Sequence, residues 1–309
     1  MFKRLERKRP NKFSRSQPAR FIHSVSNGKP YFHSNGTKPH FLALGAIFHS
    51  ELPFLVEWIE FHLNQGFEKF YLYDNEGNQI YHTILDPYIR KGQVVLHSWP
   101  DDPKQPDWTQ RNAYHHCLLN YGKECHWLAF FDVDEFIFPD KKLTGHPTFV
   151  DLLKQFNNQN PRLAQLSIVR YNYGNYWHNT TPCVGGVVRN YLMRDNNFSN
   201  IKSVVKTDHI ALHRAPVSVH HFNELVRHGE TLDGQKVPLP VRFNHYLTKS
   251  TQDFNKRNAL WKRKRETTLF NPPDLARFNQ QLQPEQFNQV YDDSALEFLP
   301  NNLPLPFKT

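Results

Sequence analysis

Four short apolar runs set the limits on how this chain can fold. Phe41–Phe48, Lys69–Tyr73, Val94–His97 and Trp127–Phe131 are four to eight residues long and rich in aromatic and branched side chains. Runs with so little polar alternation suit strands covered on both faces. Between them, apolar residues recur at helical spacing. Phe54, Leu55, Trp58, Ile59, His62 and Leu63 form one such face, opened by Ser50-Glu51-Leu52-Pro53 and closed by Gly66. Ser50 reads as the cap and Pro53 as a first-turn proline. Tyr81–Arg90 and Gln110–Tyr121 read as the next two helices, the second with Tyr114, Cys117, Leu118 and Tyr121 on one side. Strands and helices alternating at this rhythm predict βαβ units. The expected fold class is α/β, a mostly parallel central sheet flanked by helices, with a smaller mixed C-terminal part.

The pattern loosens after residue 140. Phe149–Phe156 reads as a helix, and Leu163–Arg170 and Val187–Met193 as strands around Tyr173-Gly174-Asn175-Tyr176-Trp177-His178. Ser203–Val205 and Ala211–Leu212 are candidate short strands, and a helix is expected from about Thr251 to Arg265. Three regions follow: a basic arm without its own core (1–38), one folded domain (39–265) and a Pro-, Asn- and Gln-rich extension (266–309).

The fourth run continues Trp127-Leu-Ala-Phe-Phe-Asp132-Val-Asp134-Glu135-Phe-Ile-Phe-Pro139. A buried strand can end in three acids only if something offsets their charge. A divalent cation does this, because hard cations take carboxylate oxygens. The i, i+2 spacing would put Asp132 and Asp134 on one side of an extended segment. The carboxyl end of a central strand is also where α/β sheets bind ligands. The plainer alternative is a strand end whose acids face solvent or pair with Arg.

The net charge of +9 is concentrated: residues 1–20 hold eight Lys or Arg and one Glu. Such an arm is either solvated or touches an anionic surface, here expected to be a membrane. No nucleic-acid motif accompanies it, so nucleic acid is not expected as a partner. A second basic run is Lys262-Arg-Lys-Arg265. No apolar run is long enough to span a bilayer, and the N-terminus has no secretory core, so a cytoplasmic location, peripheral to a membrane, is expected. The three cysteines lack metal spacing, and their odd number argues against a closed disulfide framework.

Ordered along the chain, several segments are similar to glycosyltransferase family 92 and related family 2 glycosyltransferases. They are Glu51-Leu-Pro-Phe-Leu-Val-Glu57-Trp-Ile-Glu60-Phe-His62 with Gly66, Tyr71-Leu-Tyr-Asp74-Asn75, and Leu128-Ala-Phe-Phe-Asp132-Val-Asp134-Glu135-Phe. Tyr173-Gly174-Asn175, Ile201-Lys202-Ser203-Val204-Val205 and Asn244-His245-Tyr246 with Lys249-Ser250 complete the set. The resemblance covers roughly residues 40 to 260. It implies a GT-A fold, a nucleotide-sugar donor (a UDP-sugar first), Mn²⁺ or Mg²⁺, and inverting transfer of a hexose such as galactose to a glycan or glycoconjugate hydroxyl.

The resemblance also assigns roles. Asp134 becomes the direct metal ligand, and Asp132 binds the metal through water or the ribose. His245 joins as a late ligand, with His220-His221 as the rival pair and a core histidine as the plain alternative. Lys249 faces phosphate. Asp74 and Glu51 serve the base or ribose, although Glu51 equally suits a helix N-terminus. Arg111 could reach the diphosphate or pair with a surface acid. Glu135 either accepts from a backbone or acceptor group or orients its neighbours. An inverting reaction needs a general base. Glu224 is the candidate, with Asp195 and Asp208 as alternatives. Trp177 and His178 are candidates for the acceptor site, against simple packing of Trp177. The competing functions are a nucleotidyl- or phosphotransferase on a similar sheet, and a non-catalytic shell that binds glycans or nucleic acid.

Overall fold

The computed structural model describes residues 37–101, 109–159, 163, 165–182, 185–209, 240–267 and 283–301. The first half is a run of βαβ units: β1 (His40–Phe48), α1 (Leu52–Asn64), β2 (Lys69–Asp74), α2 (Ile80–Arg90), β3 (Val94–Ser98), α3 (Thr109–Tyr121) and β4 (Cys125–Phe130). There follow β5 (Glu135–Pro139), α4 (Lys141–Thr144), α5 (Phe149–Gln159), β6 (Gln165–Asn172), α6 (Gly186–Asn190), β7 (Met193–Arg194) and β8 (Ser199–Lys206). The last elements are β9 (Val241–His245), α7 (Thr251–Thr267) and β10 (Val290–Tyr291), with short 3-10 turns between them.

One sheet of eight strands, ordered β3-β2-β1-β4-β8-β6-β9-β5, organises the fold. β3, β2, β1 and β4 are mutually parallel. Beyond β4 the sheet is mixed: β8 is antiparallel to β4 and β6, β9 is parallel to β6, and β5 is antiparallel to β9. The chain first builds outward from β1 to β3, then returns to place β4 on the other side of β1. The reversal opens a crevice at the carboxyl ends of β1 and β4, where such sheets take ligands.

Strand alternation splits the core. Leu42, Leu44, Ala46 and Phe48 of β1 face the large cluster with α1, whereas Ala43 joins Tyr71, Tyr73 and the α3 side chains on the other face. Trp58 ties the larger layer to the acid-bearing turn, because its indole donates to the Glu135 carbonyl at 2.9 Å. His62, one turn on, is also fully buried. Burial pushes it down to about 3, against the pull of its 2.7 Å hydrogen bond to the Trp58 carbonyl. It is therefore a neutral packing group, stacked on Phe131. Gly66 ends α1 with φ 89°, and a Cβ there would lie 2.2 Å from Val150.

The structure corrects several expectations. Val187–Met193 is not a strand: it contains the short helix α6, whose first amides bind the Glu57 carboxylate at 2.6 and 3.1 Å. Ser50 does not cap α1; Glu51 holds that position with no side-chain cap bond, and Ser50 sits at φ 59°. Ser203–Val205 falls in the second half of the eight-residue β8, and the strand expected from Leu163 begins at Gln165. β5 and β9 were not foreseen. Ala211–Leu212 and residues 1–36 of the basic arm lie outside the described residues. Among the described residues no helix is long and apolar enough to cross a membrane.

Candidate active site

The acids after β4 are held by a turn rather than an extended strand, because the Glu135 amide donates back to the Asp132 carbonyl at 2.9 Å. The same-side arrangement expected from their i, i+2 spacing is thereby lost. Asp132 and Asp134 enter two adjoining groups.

Asp134 faces β9. The register pairs Glu135 with His245, and the Tyr246 amide donates to the Asp134 carbonyl at 2.9 Å. His245 Nε2 then stands 3.4 Å from Asp134 Oδ1, with Lys249 Nζ and an Arg257 nitrogen 3.7 and 3.8 Å from Oδ2. Lys249 also reaches Glu51 at 3.2 Å. Burial alone would raise the Asp134 carboxyl, but His245, Lys249 and Arg257 outweigh it and hold the group well below the usual carboxylate range. Burial lowers His245 against the pull of the Asp134 charge and hydrogen bond. Burial raises Glu51 against the pull of Lys249. Burial would also lower Lys249, but Glu51 and Asp134 outweigh it and keep the ammonium charged.

Behind His245 lies a polar relay. Asn172 is its partner across the β6–β9 register. The Asn172 amide donates through Nδ2 to Asp195 Oδ2 at 2.9 Å, and its backbone N–H donates to Asp195 Oδ1 at 3.1 Å. A carboxylate only accepts, so Asn172 Oδ1 is turned toward His245, whose Nδ1 lies 3.3 Å away. Nδ1 therefore carries a proton, and Nε2 is the nitrogen that faces Asp134. With the imidazole oriented from behind, Asp134 Oδ1 and His245 Nε2, 3.4 Å apart, become a donor pair suited to a cation once Nε2 gives up its proton. Among the described residues no group of three or more His, Cys, Asp or Glu is placed to hold a metal. Two protein ligands nonetheless suffice for a hard cation that shares its shell with water and phosphate.

Asp132 belongs to the second group. It accepts from Gln110 Nε2 at 2.7 Å, Tyr114 at 3.3 Å and Lys202 Nζ at 3.0 Å. Lys202, on β8, also lies 3.2 Å from Glu135. Glu135 is fully buried and accepts from the Asp132 amide at 2.9 Å. Burial pushes it up to about 8, against the pull of Lys202. Asp132 and Glu135 keep Lys202 charged in spite of its burial.

The other expected residues are dispersed. Asp74 ends β2, and its Oδ1 is taken by the amides of Glu76 and Gly77 at 2.8 and 2.9 Å. Arg111 is half-buried beside Gln110 on α3. His178 Nε2 lies 3.1 Å from the Asn190 carbonyl, and Trp177 is 61% exposed. Asp208 pairs with Lys38, which also bonds the Cys125 carbonyl at the far end of β4. Glu224 and His220-His221 lie outside the described residues.

Between the loop after β1 and the face of α7 lies a cleft of about 340 Å³, walled by Glu51, Phe54, Lys249, Lys256 and Arg257. Sequence reasoning missed Arg257, Asn172 and Lys202. Arg257 was legible as one of Asp253, Lys256, Arg257 and Leu260, which share a helix face at i, i+3, i+4 and i+7. Lys202 was legible as a lysine between apolar residues in a strand. Asn172 gave no local signal.

The model of glycosyltransferase family 92 matches residues 47–288, a span that contains both acid groups and the cleft. The chain belongs to glycosyltransferase family 92. A family 92 protein of Ricinus communis is 28% identical over 192 residues, 61% of this chain and 32% of that protein. One from Oryza sativa subsp. japonica is 28% identical over 191 residues, 60% of this chain and 30% of its own length. Galactan beta-1,4-galactosyltransferase GALS2 of Arabidopsis thaliana is 31% identical over 118 residues, 36% of this chain and 23% of the enzyme. The chain thus spans about a third of its family 92 relatives' length. Among solved structures, S. aureus TarS residues 1–349 with UDP aligns at a TM-score of 0.32 and 12% identity, covering 54% of this chain and 47% of that one. So slight a likeness says nothing about substrate. The parallel β3-β2-β1-β4 half, extended by mixed strands, is the GT-A layout expected of family 92.

Proposed function

We propose that this chain is the catalytic module of a metal-dependent, inverting glycosyltransferase, moving a hexose from a nucleotide-sugar to a glycan hydroxyl. The observation that carries the reading is the facing pair of Asp134 Oδ1 and His245 Nε2 at the switch point of the sheet, ringed by Lys249 and Arg257. A galactan beta-1,4-galactosyltransferase among the relatives supports galactose as the hexose.

Mn²⁺ or Mg²⁺ held by Asp134 and His245 would act as a Lewis acid on the departing diphosphate. The protein's own groups do the remainder. Lys249 and Arg257 now balance Asp134, and both lie on the cleft wall where they can turn to phosphate oxygens. Glu51 holds Lys249 in place and borders the cleft at the nucleotide end. Asp132, steadied by Gln110 and Lys202, is left to meet the ribose or a metal-bound water. Glu135 is buried beneath it and orients the turn. The general base is assigned to Glu224.

Nucleotide release from a panel of nucleotide-sugars, measured with Mn²⁺, with Mg²⁺ and with EDTA, tests the reading. Metal-dependent release from one donor is expected. No release from any donor, together with no metal-dependent thermal shift by UDP, would refute it in favour of a non-catalytic shell.

A further inference from the structure

The turn after β6 leaves a large ring in solvent on an unusual backbone. Tyr176 and Trp177 are consecutive non-glycine residues with φ 48° and 60°. L-residues avoid this left-handed region, and where it persists the surroundings impose it. Here they do. Asn175, fully buried, accepts from the Trp177 amide at 3.1 Å and from Asn288 Nδ2 at 2.9 Å. It donates to Thr251 Oγ1 at 3.0 Å and to Glu285 at 2.9 Å. The Tyr176 amide donates to Asn288 Oδ1 at 3.1 Å. Gly174 lets that asparagine approach, since a Cβ there would lie 2.2 Å from its oxygen. A network centred on buried Asn175 therefore fixes the backbone from which the indole points outward.

The turn is joined to the active site. The first amides of α7, Thr251 and Gln252, donate to the carbonyls of His178 and Asn179, both at 3.0 Å. The same helix carries Lys256 and Arg257 along the cleft. Beside Trp177 lies the Tyr176 ring, 5.6 Å away centre to centre. Tyr291 of β10, paired with Met193 of β7, is 55% exposed. Exposed Asn179 and Thr180 follow Tyr176 and Trp177 in the chain. One exposed and one half-buried ring followed by hydrogen-bonding residues do not make the contiguous apolar area of a protein interface. They match a sugar, whose ring offers an apolar C–H face and a rim of hydroxyls.

We propose that Trp177, flanked by Tyr176, is a stacking platform for the acceptor, taking a pyranose with several C–H bonds on one face. The inference rests on the transferase reading for the word acceptor, and is tested separately from it. The probes are β-1,4-galactotetraose, cellotetraose and chitotetraose, titrated by calorimetry into the full chain, its Trp177→Ala and its Trp177→Phe. The expected result is binding of one probe, weakened about tenfold in Trp177→Ala and largely restored in Trp177→Phe. The thermal midpoint should not move, because the ring is exposed. Unchanged affinity in Trp177→Ala, no binding of any probe to the parent chain, or a dimer in sedimentation that Trp177→Ala dissociates would each overturn the platform. Failure of the donor assay with probe binding intact would instead overturn the transferase reading alone.

Discussion

Replacing Asn172 by Ala would test the relay behind His245. The change removes the acceptor for His245 Nδ1 and the donor to Asp195 Oδ2. The imidazole would then be free to move its proton to Nε2, which ends its use as a ligand. Partners of this kind are worth about 10–100-fold in metal affinity, or roughly 1.4–2.7 kcal/mol. The 3.3 Å His245–Asn172 contact is long, so about tenfold is expected. Leaving buried polar atoms unpartnered should also lower stability by about 1–3 kcal/mol. The assay is electron paramagnetic resonance of free Mn²⁺, titrated into protein at saturating UDP. Nitrogen-15 shifts of the imidazole report the tautomer in the same samples. Asp195→Asn should weaken Mn²⁺ binding less, since His245 keeps its acceptor. A folded Asn172→Ala protein that binds Mn²⁺ within twofold of the parent, with Nδ1 still protonated, would refute the relay.

Asp134→Asn keeps the shape of the turn but removes its charge, and metal-dependent turnover should fall by roughly a thousandfold or more; full activity at saturating metal would show the metal site to be misplaced. Glu57, raised by burial from 4.5 to about 7, holds its proton more tightly folded than unfolded. Its contribution to stability is thus fully present below the unfolded value and fades as pH rises through 7. Denaturant melts from pH 4.5 to 8 should show about 3 kcal/mol of this decline in the parent and none of it in Glu57→Gln; parallel curves would exclude Glu57 as the source. Lys202→Met strips the cation from buried Glu135 and from Asp132, costing about 3–5 kcal/mol at pH 8 and less at pH 6, where Glu135 takes a proton. A deficit under 1 kcal/mol at pH 8 would mean that the acids do not depend on Lys202.

The parallel half of the fold was legible because each of its strands is a short apolar run and each helix keeps one apolar face. Gly66, Pro53 and the Leu128–Phe131 run all carried local chemistry that their surroundings left in force. β5 and β9 were not legible, because Phe136–Phe138 and Val241–Phe243 are too short to announce a strand without the partner that pairs them. Val187-Val188 looks like a strand on propensity, yet Glu57 from a distant helix captures its amides and turns it into α6. The site divides in the same way. Asp134 and His245 were readable as residue types, but not the turn that separates Asp132 from Asp134. The Asn172–Asp195 relay is made by register between strands far apart in the sequence.

That register has a kinetic consequence. Asp134 and His245 meet only when β9 slots between β6 and β5, and β5 and β9 are more than a hundred residues apart in the chain. Closing so long a loop is slow and is rewarded only at the end. The parallel units, by contrast, pair within short stretches and can form while the chain is still being made. The Asp134–His245 pair is thus among the last features to be assembled. A ribosome-bound or half-folded chain would hold the crevice of β1 and β4 without the means to use it, and catalytic competence becomes a readout of completed folding.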